Sequence, residues 1–195
     1  MKKTAEIITE ENQYNGYLKV DKATIKHISK DGIISTYSRE KLRTSDAVAG
    51  LIYNKDIDSV VLVEQHRYPV QTNLRSGFIY EAVAGKIDDK EEPKKAFIRE
   101  SLEEVGYRIQ DKNIIYCNWC YMSPGYSSER IHFFLATVTN KDRVEAGGGI
   151  KDDNENIEVH EISYLVFKGM EEYMEDAKLK ILFHEAHRKK LFDKK

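Results

Sequence analysis

Glu100, Glu103 and Glu104 are the residues whose types and spacing most suggest chemistry. Their offsets of three and four positions put all three carboxylates on one face of any helix that carries them. Like charges at that spacing destabilise a bare helix, so something positive must sit against them. Two partners are open: cationic side chains on a solvated face, or a hard divalent cation, which takes oxygen ligands. The flanking residues bear on the choice. Gly85 follows an apolar stretch and allows a tight backbone turn. Glu91, Arg99 and Gly106 then recur at fixed intervals around the triplet. Pro93 suits the first turn of a helix and Gly106 the position just past its end, which predicts a helix over about 93–105.

The stretch GKIDDKEEPKKAFIRESLEEVGY (85–107) resembles the Nudix box, G-x5-E-x7-R-E-U-x-E-E-x-G-U, where U is aliphatic. Gly85, Glu91, Arg99, Glu100, Glu103, Glu104 and Gly106 match it; Ser101 and Tyr107 depart from it at two aliphatic positions. The resemblance implies an α/β protein, a Nudix α/β/α sandwich with a mixed sheet and an N-terminal antiparallel β extension. It also implies Mg²⁺, with Mn²⁺ as a substitute, held chiefly by Glu100 and Glu104, with Glu103 assisting and the Ala84 carbonyl as a further ligand. Glu91 and Arg99 are then expected to orient the loop and helix. The chemistry is coherent: a pyrophosphate must have its charge neutralised before water attacks phosphorus, and metal ions can do this while activating the water.

The resemblance extends over roughly 17–192. VLVEQHR (61–67), YMSPGYSSERIHFF (121–134) and AGGGIKDDNENIEV (146–159) are similar to the nucleoside-diphosphate-sugar branch of that superfamily, whose substrates include GDP-mannose and ADP-ribose. On that basis Arg67, just beyond a strand, is expected to clamp phosphate, and Glu129 to support the metal site or touch substrate. Glu155 is the expected general base on an acidic loop, with Asp152 and Asp153 as rivals. Arg39 and Arg43 either reach the nucleotide from the N-terminal hairpin, across a homodimer, or are simply solvated. A dinucleoside polyphosphate hydrolase and a non-catalytic nucleotide-binding module remain the alternatives.

These residues need a scaffold. Residues 17–42 read as a hairpin around the Asp31-Gly32 turn. Ala47–Asn54 and Ser59–Gln65 are nearly continuous apolar runs, which suggests strands buried on both faces. Phe78–Ala84, Ile114–Met122, Ile131–Thr139 and Ile157–Ser163 read as further strands. Residues 145–156 read as a flexible, uncapped acidic loop, and 164–192 as one or two helices. This divides the chain into an N-terminal β-hairpin extension over 1–44, a candidate dimerisation element, and a Nudix domain over 45–195.

Composition agrees with an enzyme of small charged molecules. The 195 residues are 41% hydrophobic and 33% charged, with a formal net charge of −2. No basic excess points to nucleic acid. No apolar run reaches membrane-spanning length, and the start MKKTAEIITEENQ lacks the apolar region of a secretory signal, so a cytoplasmic protein without membrane partners is expected. Cys117 and Cys120 fall three apart in an apparent strand, which points them to opposite faces and suits packing better than zinc or redox work. His66, His132, His184 and His187 need no metal role.

Overall fold

A computed structural model describes residues 2–149 and 156–193. Two compact units emerge. One comprises the described residues of Met1–Asp46 together with Tyr121–Arg130, the other those of Ala47–Cys120 and Ile131–Lys195.

The first unit is built on an antiparallel sheet of three strands in the order β1 (Thr4–Asn15), β2 (Lys19–Ile28) and β3 (Ile34–Arg43). The hairpin read from sequence is β2–β3, turning at Gly32, whose φ of 80° is left-handed. β1 was not anticipated: TAEIITEENQYN is exposed at every residue, so it has no buried face to print a period-two pattern. What secures it is the ladder to β2, together with Asn12, whose amide donates to Asp21 at 3.2 Å. The Ser123-Pro-Gly loop belongs to this unit. The Leu42 N–H donates to the Tyr126 carbonyl at 2.7 Å, and Arg130 pairs with Asp46.

The second unit holds a seven-stranded mixed sheet. Its path runs β10 (Glu158–Ser163), β5 (Ser59–His66), β4 (Ala47–Asn54), β9 (Arg130–Val138), β8 (Ile114–Tyr121), with β6 (Phe78–Glu81) on β5 and β7 (Val83–Lys86) on β4. β4 and β9 are parallel, and the β10–β5, β5–β4, β5–β6 and β4–β7 pairs are antiparallel. Every residue of β4 is buried, as its apolar run implies. One face carries Val48, Ile52, Val61, Val63 and Phe134 against Phe97, Ala96 and Val105 of helix α1 (Pro93–Val105). On the alternate face Leu51, Val60 and Leu62 are fully buried, and α3 (Ala177–Arg188) packs against β4. A short helix α2 (Tyr164–Gly169) precedes α3. The expected α/β layering is thus present, with β4 at its centre.

Two local features place α1. A Cβ on Gly50 would fall 2.0 Å from the Phe97 ring, so glycine in the middle of β4 lets that ring lie on the sheet and stack on Phe134. The single strand expected over Phe78–Ala84 is broken at Ala82. β6 pairs with β5, whereas β7 has crossed to β4, with Ala84 opposite Ala49. That crossing carries Ala84 and Gly85 to α1.

Candidate active site

The end of β7, the loop 87–92 and α1 form one cluster inside the second unit. Glu104 is almost wholly buried, and its carboxylate accepts from the Ala84 N–H at 3.0 Å. Glu100 lies over Gly85 so closely that a Cβ there would sit 2.0 Å from its carboxylate carbon. Glycine at 85 is therefore a requirement of approach.

Arg99 supplies the positive charge that the triplet demands. Its Nε and one terminal nitrogen grip the two oxygens of Glu91 at 3.1 and 2.9 Å, a two-pronged ion pair. The other terminal nitrogen donates to Glu100 at 2.8 Å and Glu103 at 3.1 Å. The Lys86 carbonyl accepts a further bond at 3.0 Å. The hydrogen bond from Arg99 holds Glu91 below the usual glutamate range, and that to Glu91, foremost, raises Arg99 further. The loop is also pinned by the Asp88 N–H, which donates to Glu91 at 3.1 Å. Glu91, Arg99, Glu100, Glu103, Glu104 and Ala84 are thus brought together.

The C-terminal end of α1 is equally constrained. Gly106 is left-handed, φ 75°, and the Gly106 and Tyr107 N–H groups return to the carbonyls of Leu102 and Ser101. The Gly106 bond is the 5→1 bond of an αL cap, and the Tyr107 bond adds to it. The two departures from the box have local partners. The Ser101 hydroxyl donates to the Phe97 carbonyl at 2.6 Å. The Tyr107 hydroxyl donates to Glu161 at 2.5 Å and accepts from Asn54 at 3.0 Å. Burial, reinforced by Glu161, pushes the Tyr107 phenol up to about 12.

Other expected site residues lie elsewhere. Arg67 is at the end of β5 on the buried Glu81, 2.7 Å away, and its side chain remains 42% exposed. Glu81 also meets Lys178, which pairs with Asp176 at 2.8 Å. Burial would lower Lys178, but Asp176 and Glu81 outweigh it and hold it raised. Sequence reading overlooked this group, although a glutamate inside the apolar run FIYEAVA was its signal. Glu129, half-buried, is in the loop of the first unit, its N–H on the Ser127 hydroxyl. Arg39 lies over the Tyr37 ring, and Arg43 binds the buried Asp21 at 2.9 Å. Glu155, Asp152 and Asp153 lie outside the described residues. The described part of their loop departs from the expected uncapped run: Gly148 and Gly149 bond back to α1.

A second grouping with ligand spacing was not anticipated. Glu64, Glu158 and His160 converge across β5 and β10 with their donor atoms within 4.8 Å of one another. Cys117 and Cys120 are free thiols, both raised by burial, Cys117 to about 11. Among the described residues no helix is long and apolar enough to cross a membrane.

The NUDIX domain model matches residues 43–182. The GDP-mannose pyrophosphatase of Cronobacter sakazakii (strain ATCC BAA-894) is 33% identical over 165 residues, 84% of each chain. That of Escherichia coli (strain K12) is 34% identical over 151 residues, 77% of this chain and 76% of its own. A crystal structure of an ADP compounds hydrolase superposes with a TM-score of 0.71 over 94% of this chain and 92% of that one, at 18% identity, a likeness of fold. The chain belongs to the Nudix family.

Proposed function

We propose that this Nudix hydrolase cleaves the pyrophosphate bond of a nucleoside diphosphate sugar, GDP-mannose or ADP-ribose, releasing a nucleoside monophosphate and a sugar phosphate. The observation that carries the reading is the carboxylate face of α1 set against the Ala84–Gly85 strand end. The GDP-mannose pyrophosphatase relatives support the substrate class.

The donor set suits a hard divalent cation. It is all oxygen, it carries four glutamates against one arginine, and Gly85 leaves room for the Glu100 carboxylate. Glu100 and Glu104, assisted by Glu103 and the Ala84 carbonyl, would hold Mg²⁺, or Mn²⁺ in its place. When bound, the ion supplies charge neutralisation and a more acidic water. Glu91 and Arg99 keep the loop and helix in register. Arg67 binds a phosphate oxygen. Glu155, or its neighbours Asp152 and Asp153, takes the proton as water forms a new P–O bond. The bridging P–O bond breaks, and its electron pair leaves with the departing phosphate.

Glu129, Arg39 and Arg43 are the further candidates for contact with the nucleotide, and the N-terminal extension over 1–44, set apart from the Nudix domain over 45–195, is the element through which two copies form a homodimer. The setting is cytoplasmic, with no nucleic-acid or membrane partner.

The test is a nucleotide panel with Mg²⁺ or Mn²⁺, read by identifying both products. GMP with mannose 1-phosphate, or AMP with ribose 5-phosphate, is expected. Turnover confined to dinucleoside polyphosphates would replace the substrate class. No turnover of any member would leave a non-catalytic binding module.

A further inference from the structure

We infer that Gly147, Gly148 and Gly149 are positioning residues: a clasp that fixes the carboxylate end of α1 and, with it, the site. The inference rests on the hydrolase reading above.

A helix leaves its last carbonyls without intrahelical donors, and these must be satisfied from elsewhere. In α1 four consecutive carbonyls are taken in turn. Ser101 and Leu102 are capped locally by the N–H groups of Tyr107 and Gly106 at 3.1 and 3.0 Å. Glu103 and Glu104 are capped by a remote segment: Gly149 N–H donates to the Glu103 carbonyl at 3.1 Å, and Gly148 N–H to the Glu104 carbonyl at 2.8 Å. The two residues held are themselves members of the carboxylate triplet. The segment is anchored from its other side too, since the Gly106 carbonyl accepts from Val144 at 2.9 Å and from Glu145 at 3.3 Å.

Only glycine fits this path. The φ angles of 76°, 108° and 76° are all in the region that L side chains avoid. A Cβ on Gly147 would also stand 2.5 Å from the Glu104 carbonyl oxygen and 2.7 Å from the Val105 Cα, both backbone atoms that cannot swing aside. A Cβ on Gly106 would strike the Glu145 carbonyl at 2.1 Å. The two glycine sites are thus the two halves of one close contact. A loop needing only flexibility would show neither the bonds nor the approach. The consequence for function is that Glu104 is fixed at both ends, its carboxylate on Ala84 N–H and its carbonyl on Gly148.

The experiment uses the whole chain with Gly147→Ala, Gly148→Ala and, as a control, Gly169→Ala, where an added Cβ meets nothing within 4 Å. Mn²⁺ binding is measured by EPR titration, alongside kcat and KM for the nucleotide sugar against Mg²⁺ concentration. Circular dichroism checks the fold, and amide hydrogen exchange is followed at Gly148 and Gly149 in the unaltered chain. The two clasp variants are expected to bind Mn²⁺ about 10-fold more weakly or worse, with kcat falling while KM stays within about twofold. The control should match the unaltered chain, whose two amides should exchange slowly. Folded clasp variants that bind Mn²⁺ normally, or fast exchange at those amides, would overturn the clasp; the exchange readout decides the matter even if both variants fail to fold. If the unaltered chain binds Mn²⁺ but hydrolyses no nucleotide, the hydrolase reading fails, while a Mn²⁺ difference still upholds the clasp.

Discussion

Gly85→Ala separates the demands of the site from those of the fold. The added Cβ would lie 2.0 Å from the Glu100 carboxyl carbon and 2.0 Å from one of its oxygens. Ordinary contact begins near 3.4 Å, so the carboxylate must retreat by about 1.4 Å. The obstructing group is the end of a flexible side chain, and it can retreat by changing rotamer. That costs about 0.5–1.5 kcal/mol if it leaves a staggered well. For a domain of this size, about 1 kcal/mol lowers the melting temperature by about 2–4 °C. A reacting group misplaced by about 1 Å, in contrast, can lose about 10²-fold in rate. Gly85→Ala should therefore melt within about 6 °C of the unaltered chain yet hydrolyse the proposed nucleotide-sugar substrate about 100-fold more slowly. Raising Mg²⁺ should recover only part of the rate, because Arg99 still draws the displaced Glu100. The assay is product release by chromatography across a Mg²⁺ series, with melting followed by circular dichroism. A rate within threefold of the unaltered chain would refute the argument that close approach over Gly85 sets the Glu100 geometry.

Arg99→Met removes the partner of Glu91, Glu100 and Glu103 and should cost about 1–3 kcal/mol at pH 7, a buried-pair value discounted for partial exposure. Glu91 is depressed by Arg99 in the folded state, so its contribution is complete above the ordinary glutamate value of 4.5 and is lost as pH falls through the depressed folded value; denaturant titrations of the two proteins should converge below about pH 4.5. Tyr107 has the opposite sign: its phenol is raised to about 12, so the stability it lends is complete below the usual 10 and is lost between 10 and 12. Tyr107→Phe should flatten that alkaline decline and cost about 1–3 kcal/mol at neutral pH by leaving Asn54 and Glu161 short of a partner, read by urea melts. Gly50→Ala drives a methyl into the Phe97 ring at 2.0 Å and should cost about 1–3 kcal/mol in the same assay. Stripping divalent ions with EDTA and restoring Mg²⁺ to about 100 times its Kd should raise stability by about 2.7 kcal/mol, seen as a higher melting temperature; no change would count against a metal on α1.

The helix and its carboxylates were legible because everything that defines them is local. Pro93 and Gly106 bound α1, and the offsets of Glu100, Glu103 and Glu104 share its face whatever surrounds it. The central strands were legible because β4 is buried throughout and β5 over its apolar run Ser59–Val63. β1 was not, since it is exposed throughout and is held by backbone bonds, which leave no mark on side-chain type. The break at Ala82 was invisible for a related reason: both halves of Phe78–Ala84 are strand-like, and only the choice of neighbour changes. Arg67 shows a further limit. Its position past a strand was readable, but its partner Glu81 is fourteen residues away, and the ion pair depends on how β6 folds back on β5. The triple glycine read as looseness because glycine permits many conformations; the same freedom here serves one conformation closed to other residues.

The three glutamates are held to different degrees, and the order bears on their roles. Glu104 is the most constrained: buried, bonded to the Ala84 N–H, with its own carbonyl held by Gly148. Glu100 comes next, with its side chain 13% exposed, pressed over Gly85 and bonded to Arg99. Glu103 is 30% exposed and is gripped by the same guanidinium at a longer 3.1 Å. Precise ligand geometry needs side chains locked by their surroundings. Glu104 and Glu100 meet that condition, whereas Glu103 is the freest of the three to adjust. Arg99 makes the arrangement tolerable without a cation, since it shares one charge among three carboxylates that would otherwise repel one another. Because the third of these, Glu91, takes the guanidinium by two prongs, Arg99 would keep its anchor if Glu100 and Glu103 turned their oxygens to the proposed metal. The pair Glu91–Arg99 thus holds the helix and loop in register whether or not the carboxylate face is loaded.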